Sequence, residues 1–507
     1  MTNLEYAMRV ALSPSNLLFC VLGAGLGTIT GVLPGMSPVI VLSVLLPLTF
    51  KMHATAALIM LTGIYYGSHH SGATSAIMLN MPSEPSSIVI CFDGHPLALQ
   101  GRAGPALSVA AIAATVAGCV AVLVVAVFAA PIASWALQFQ APEYTSVILL
   151  ALVAQSAMLG KSTTRTMGMS AIGLVLGSVG SDVYTGIQRF TFGNLSLADG
   201  LEFVAVAIGM FAITEIGYRL GGGSEHSADE HSSNIKLNKI LPSKADLLAI
   251  WQPILRGSAL GSVMGILPGT GPTVSALAAY FMEKGLAKDR TRFGKGAIEG
   301  VAGPEAADNA ATLTHFIPML TFGIPAGAVM ALMLGALWIQ GIEPGPSLIT
   351  QHPDVFWGVI GSMLVGNVML LFLNLPLIGV WVRLLQTPYR LLYPAILSFC
   401  CIGVYSVRYE VTDVITVAVA GAAGFIMRKF DCPGAALVFG LILGPVLEEN
   451  LRRSLQLSQG NPSIFVTRPI SLAFLLAALL LVVIFSFAKF KNRSLEKDVP
   501  KSSVQPD

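Results

Sequence analysis

Charged side chains are scarce in this chain. Of its 507 residues, 11% are Asp, Glu, Lys or Arg, against roughly 25% in globular chains. A soluble body of this size needs more polar surface, so a soluble fold is excluded. Cysteine is sparse as well. Cys20, Cys91, Cys119, Cys400, Cys401 and Cys432 form no CxxC pair and mostly sit in apolar runs. There the thiol acts as a small hydrophobe, so neither a disulfide framework nor a metal centre is expected. Catalytic signatures are missing too. HExxH does not occur among the 8 histidines, and GxSxG is absent, which leaves an intramembrane enzyme without a recognisable nucleophile, base or metal. The start MTNLEYAMRV lacks the basic region and small-residue cleavage site of a signal peptide, so no cleavable leader is expected. A net charge of +2 gives no electrostatic footprint for a nucleic-acid partner.

Long apolar runs fill the chain instead. Residues 109–130, 355–382 and 471–487 are examples, each near the ~20 residues that a spanning helix needs. About ten to twelve such segments can be traced, so the expected fold is an all-α integral membrane protein in a lipid bilayer. Residues 220–244 read LGGGSEHSADEHSSNIKLNKILPSK. Gly, Ser and mixed charge make this a hydrophilic linker. The expected organisation is a first membrane repeat over 1–219, a linker over 220–248, a second repeat over 249–470, a final transmembrane helix over 471–488 and a basic tail over 489–507.

A repeated motif relates the halves. Gly27-x-x-x-Gly31-Val-Leu-Pro34-Gly35-x-x-Pro38 matches Gly261-x-x-x-Gly265-Ile-Leu-Pro268-Gly269-x-x-Pro272, every position 234 residues later. A second echo pairs Asn80-Met81-Pro82 with Gly323-Ile324-Pro325. Basic residues flank the second copy on both sides, with Lys236, Lys239, Lys244 and Arg256 before it and Lys284, Lys288, Arg290, Arg292 and Lys295 after it. Arg9 and Lys51 flank the first copy only thinly. Positive charge marks the cytoplasmic side, which puts the second copy's flanks, the linker and the tail there. That is the charge pattern of inverted-topology repeats.

Each motif ends one helix and starts another. Proline lacks an N–H and disfavours helix in the residue before it. Glycine takes dihedrals that other residues resist, and Ser37-Pro38 or Gly271-Pro272 then starts a new helix. A break inside the bilayer survives only where protein or a water-filled cavity covers it. Free N–H groups at the new helix start attract an anion. Two such breaks in matching positions of two halves point to a transporter's binding site.

Other polar groups lie nearby. Residues 62–85, TGIYYGSHHSGATSAIMLNMPSEP, suit either close helix packing or the wall of a polar cavity. His69 and His70 are adjacent and so point to different faces, and no further ligands accompany them at metal-binding spacing. If Pro304 starts a helix, Glu305, Asp308 and Asn309 fall at i, i+3 and i+4 on one face. They could bind a hard cation, carry a proton or form a solvated helix start. Asp93 and Arg102 read as an interfacial loop, and Glu448-Glu449 with Arg452 and Arg453 as charge pairing on a helix end.

Taken together, GVLPGMSP, ALIMLTGIYYG, CFDGHPLALQGRAG, GILPGTGPTVSALAAYFMEK, FGKGAIEGVAGPEAADNAA, PMLTFGIP, GIEPGP and LGPVLEENLRRSL resemble the large membrane subunit of bacterial tripartite tricarboxylate transporters. The likeness covers nearly the whole chain. It implies a secondary transporter of the inner membrane that imports organic carboxylates such as citrate, driven by a sodium or proton gradient. It also implies a small membrane subunit, a periplasmic substrate-binding protein and no ATP site or other cofactor. Four stretches depart from the family's usual pattern: His69-His70-Ser71-Gly72, Asn80-Met81-Pro82-Ser83 with Glu84 after it, Ile324-Pro325-Ala326-Gly327, and Glu305-Ala-Ala-Asp308-Asn309.

The expected substrate site therefore draws on both halves. Pro34, Gly35, Met36, Ser37, Ser71, Gly72, Thr74, Ser75, Asn80, Pro82 and Ser83 would serve from the first. Thr270, Gly271, Pro272, Asn309, Gly323, Pro325 and Ala326 would serve from the second. Glu305, Asp308 and Asn309 are the candidates for the coupling ion, and no metal site is expected. The alternative is a non-transporting scaffold or receptor, which gains nothing from two costly helix breaks.

Overall fold

The computed structural model describes residues 3–33, 36–158, 162–182, 184–220, 240–267, 271–384 and 389–497. Helices make up nearly all of its regular structure. Inside a bilayer a helix pairs its own backbone groups, whereas an unpaired group costs several kcal/mol.

The first half opens with α1 (Asn3–Ala11) and α2 (Pro14–Val32). After a break come α3 (Pro38–Thr49) and α4 (Ala54–Leu79). A 3-10 turn, Pro85–Ser87, leads into α5 (Ile88–Leu97) and the long α6 (Ala103–Ala136). Next are α7 (Ala141–Met158) and α8 (Thr163–Gly177), then a hairpin of β1 (Gly180–Ser181) and β2 (Gln188–Arg189). The hairpin is antiparallel, with Gly180 opposite Arg189. The half closes with α9 (Phe203–Ile208) and α10 (Thr214–Leu220).

The second half repeats the opening. α11 (Lys244–Ile266) breaks into α12 (Gly271–Leu286), and α13 (Glu299–Thr314) runs into α14 (Phe316–Phe322). There follow α15 (Ala328–Ile339), α16 (Leu348–Gln351), α17 (Pro353–Asn374) and α18 (Ile378–Leu384). The chain ends with α19 (Tyr389–Arg408), α20 (Val411–Lys429), α21 (Gly434–Leu457), α22 (Ile464–Thr467) and α23 (Pro469–Lys497). The linker gives way to helix at Lys244, where Ser243 and Asp246 form a capping box.

Five described helical stretches are long and apolar enough to cross a membrane: Pro14–Val32, Pro85–Ala136, Pro353–Asn374, Val411–Lys429 and Gly434–Leu457. Shorter apolar helices include Pro38–Thr49 and Ala328–Ile339. The chain is thus an all-α, multi-pass membrane protein. α4 is long enough but carries too many Gly, Ser, Thr and His residues to read as apolar, and it is buried on every face from Thr55 to Met78.

Glycine sets the tightest packing. A Cβ on Gly23, Gly27 or Gly31 of α2 would lie 2.3, 2.5 or 2.1 Å from the carbonyl oxygen of Met60, Ile64 or Ser68 on α4. On α11, a Cβ on Gly257, Gly261 or Gly265 would lie 2.3, 2.2 or 2.5 Å from that of Gly303, Ala307 or Ala311 on α13. These are small-xxx-small interfaces, in which backbones meet because nothing stands between them. The register repeats with the packing. Gly303, Ala307 and Ala311 follow Met60, Ile64 and Ser68, each by 243 residues.

Two expectations change. Asp93 does not lie in an interfacial loop: it sits on α5 and is fully buried. Pro304 does not start a helix but lies inside α13, one of several internal prolines, which neighbouring helices allow in membrane spans.

Candidate functional site

The helices before the two breaks end in the same way. α2 ends at Leu33 in extended backbone (φ −77°, ψ 112°), and α11 ends at Leu267 likewise (φ −83°, ψ 117°). The Leu33 N–H bonds the Ile29 carbonyl, and the Leu267 N–H bonds that of Met264. The Ser37 hydroxyl caps α3 by accepting from the Val39 N–H at 3.3 Å, whereas α12 begins at Gly271 with φ +63°. The second echo is structural too. α4 ends at Asn80 in the left-handed region (φ 53°, ψ 28°), and α14 ends at Gly323 in the same region (φ 66°, ψ 25°). Glycine and asparagine are the residues that tolerate this cap.

Contacts then cross between halves. α12 packs on the Pro85–Ser87 turn and on α5 of the first half, while α3 packs on α15 of the second. Each helix that follows a break therefore leans on the segment that follows the other half's left-handed cap. Between these contacts α4 and α13 pack against each other.

Buried polar side chains meet where they do. His69 of α4 places Nε2 2.9 Å from Oε2 of Glu84 and Nδ1 3.0 Å from Oδ1 of Asp308 on α13. Tyr65, one turn before His69, sets its ring edge-on to the imidazole (5.0 Å between centroids, 85°). Its hydroxyl lies 3.3 Å from Nδ1 of His315. Glu305 is 1% exposed, and its Oε1 accepts from the Asn309 amide at 3.1 Å. The Oγ of Ser83, Oε1 of Glu84 and Nε2 of His315 are buried without a hydrogen-bond partner. Most buried polar atoms are paired, so a cluster of orphans marks a place prepared for something else.

His70 faces the opposite way. Its Nδ1 accepts from the Asn374 amide at 3.0 Å, which fixes the proton on Nε2, 3.1 Å from the Thr115 hydroxyl. This is a neutral, satisfied histidine that joins α4, α6 and α17. Asp93 is likewise structural. Its Oδ1 accepts from the N–H groups of Gly294, Gly296 and Ala297, each at 2.8 Å, and its Oδ2 from the Tyr280 hydroxyl at 3.0 Å. Gly294 and Gly296 hold positive φ, which curls the backbone into a nest for an anion that Asp93 fills.

The sequence of the family described as the tripartite tricarboxylate transporter TctA family matches residues 17–439. The chain belongs to that family. A protein of Agrobacterium vitis, described as an uncharacterized 52.8 kDa protein in the TAR-I ttuC' 3' region, is 47% identical over 495 residues, 97% of each chain. Another from the same organism, described as an uncharacterized protein in the TAR-II ttuC' 3' region, is 50% identical over 233 residues. That match covers 46% of this chain and 96% of the other. No solved structure matches. Membership of the TctA family makes this chain a component of a tripartite transporter.

Within this TctA-family chain, the expected site residues fall into groups. Ser83, Asp308, Asn309 and Glu305 lie in or beside the His69 cluster, all buried, so Glu305 and Asp308 do not form a solvated helix start. Met36, Ser37, Gly271 and Pro272 are half-buried at the breaks, and Asn80, Pro82, Gly323, Pro325 and Ala326 line the two caps. Gly72 faces Ser83 and Ser87. Ser71 and Ser75 turn inward: the Ser71 hydroxyl donates to Gly67 (2.8 Å) and Thr28 (3.1 Å), and that of Ser75 to Gly72 (3.3 Å). Thr74 is buried on the same helix. Pro34, Gly35 and Thr270 lie outside the described residues. Sequence reasoning passed over His69, Glu84, Tyr65 and His315 as site residues, although adjacent histidines in an apolar run and a glutamate just past a helix cap were visible signals.

Proposed function

We propose that this chain is the permease subunit of a binding-protein-dependent secondary transporter, and that it imports organic di- and tricarboxylates such as citrate. One observation carries the reading. Two helices that end alike are each followed, after a break, by a helix that leans on the other half, and together they flank a buried polar cluster to which both halves contribute. Broken helices at matching positions are the mark of a transporter's central site.

In this reading the starts of α3 and α12 present free N–H groups to the carboxylates. Pro34 to Ser37 and Thr270 to Pro272 form the floor of the site. Asn80 to Ser83, Ser71 to Ser75, Asn309 and Gly323 to Ala326 line it. Glu305, Asp308 and Asn309 serve the coupling ion, sodium or proton. Residues 1–219 and 249–470 act as inverted repeats in the bacterial inner membrane, joined by the linker over 220–248. The final span over 471–488 leads to a basic tail over 489–507, and linker and tail are cytoplasmic. A small membrane subunit and a periplasmic binding protein complete the transporter.

The test is uptake of labelled di- and tricarboxylates into proteoliposomes that hold this chain and its small membrane partner, with binding protein added and a sodium or proton gradient imposed. Gradient-driven accumulation of one acid, lost when Gly35 and Gly269 are replaced by leucine, is the expected result. No accumulation of any acid by a folded, associated complex would remove the reading and favour a scaffold.

A further inference from the structure

We infer that the ion driving this transporter is the proton, and that His69 carries it between Glu84 and Asp308. The inference rests on the transport reading above and deepens it.

The geometry comes first. Both ring nitrogens of His69 lie within 3.0 Å of a carboxylate oxygen. A neutral imidazole has one N–H and one lone pair. With both carboxylates ionised, the lone pair would face an oxygen lone pair at hydrogen-bond distance. One further proton removes that clash, either as a second ring N–H or as the O–H of Glu84 or Asp308. Three sites in a row can therefore hold and pass one extra proton by N–H···O exchange alone. No other bond forms or breaks. The row also runs between halves, because Glu84 sits in the turn after the Asn80 cap and Asp308 sits on α13.

The surroundings come second. The titratable groups at the cluster are Tyr65 and His69 on α4, Glu84 in the turn, Glu305 and Asp308 on α13, and His315 at the start of α14. α2, α3, α6 and α15 carry no charged residue. Asp354 of α17 is held by Thr55, Asp93 of α5 by the 294–297 nest, Asp246 of α11 by Arg102, and Arg256 of α11 by Glu283 of α12. Among the described residues, three carboxyl groups thus share the cluster with no lysine or arginine. An arriving carboxylate is repelled until the cluster takes up a proton, so substrate and proton bind cooperatively.

The third observation separates proton from sodium. A hard cation is held by several oxygens that converge on it. Here Oε2 of Glu84 and Oδ1 of Asp308 are each taken up by a different nitrogen of the imidazole ring, so these two oxygens do not converge on one ion. The orphaned Oγ of Ser83 remains for the hydroxyl or carboxyl of a substrate.

The experiment uses the whole transporter in proteoliposomes, with labelled citrate, tartrate, malate and succinate as probes. In sodium-free buffer, a gradient of one pH unit, alkaline inside, should raise accumulation about tenfold per proton carried. His69→Gln and Glu84→Gln should each lose that stimulation while exchange of the same acid at equal pH stays detectable. Accumulation that follows a sodium gradient alone, or a tenfold response that survives in His69→Gln, overturns the inference and leaves carboxylate transport standing. Failure of every acid to enter under either gradient overturns the transport reading instead. The proton site is then judged without substrate, by nitrogen-15 NMR of histidine-labelled purified chain at neutral pH. Two N–H protons on His69, reduced to one in the Glu84→Gln, Asp308→Asn double variant, support it. A ring with one N–H whose nitrogen shifts are also unmoved by those changes overturns it.

Discussion

A methyl group added to Gly31 should weaken the protein, whereas the same methyl on Gly25, on the same helix but facing open space, should not. The Cβ of Gly31→Ala would lie 2.1 Å from the Ser68 carbonyl oxygen and 2.3 Å from the Ser71 hydroxyl. Ordinary contact begins near 3.4 Å, so α2 must retreat from α4 by about 1.3 Å, from 2.1 to 3.4 Å. The atom it meets is backbone and cannot rotate aside. Overpacking of this kind costs about 1–3 kcal/mol, and the upper end applies here. Alanine returns about 1 kcal/mol of helix propensity, which leaves a net loss of about 2 kcal/mol. At Gly25 a Cβ meets nothing within 4 Å, so the propensity gain stands alone. Gly265→Ala should behave like Gly31→Ala, because its Cβ would lie 2.1 Å from the Thr314 hydroxyl and 2.5 Å from the Ala311 carbonyl. The assay is the midpoint of thermal unfolding in detergent, read as the folded fraction that survives heating on size exclusion. Gly25→Ala should match or exceed the wild type, and the other two should fall below it together. A stable Gly31→Ala, or a Gly25→Ala as damaging as Gly31→Ala, would refute the packing argument.

Other perturbations follow from the same geometry. Asp93→Ala strands three backbone N–H groups in a buried nest and should cost at least about 3 kcal/mol, with Tyr280→Phe much milder on the same unfolding assay. Asn80→Gly should be tolerated and Asn80→Ala should cost about 1–2 kcal/mol for its left-handed backbone. Gly323→Val should be worse, since a Cβ there would also press the Pro344 carbonyl at 2.9 Å. In the hairpin region the Thr185 and Tyr184 N–H groups, together with Arg452, hold the Asp182 carboxyl down to about 2. A depressed carboxyl stabilises fully above its ordinary value near 3.8 and loses the effect as pH falls through about 2. Pepsin should therefore spare the exposed Phe190 and Phe192 at pH 4 and cut there near pH 2. Equal cutting at both values would contradict the assignment.

The helix ends, the repeated motif and the membrane class were legible from residues alone, because Leu-Pro-Gly in apolar surroundings has few conformations open to it. The Asn80 and Gly323 echo was visible as letters, and the structure gives it a reason in one shared left-handed cap. Asp93 was misread because Gly94, Pro96 and Gly101 resemble loop punctuation. In the structure α5 continues through Pro96, and helical backbone is left only at Gly101, with φ 76°, and Arg102. The His69 cluster was harder still. His69 and Asp308 lie 239 residues apart, and no local pattern signals that α4 will cross α13 at that level. Yet His69, Glu84 and Asp308 each fall in a stretch that stands out in the sequence, so the stretches were readable one by one and only their meeting was not.

The exchange of contacts between halves has a consequence for how the protein is made. Because α12 rests on the first half and α3 on the second, neither half encloses the polar cluster alone. Covalent linkage therefore fixes a one-to-one stoichiometry for what is physically an assembly of two pieces. Two genes encoding residues 1–230 and 231–507 should yield a working pair when expressed together. Either fragment alone would present an uncovered seam to the quality-control proteases of the membrane.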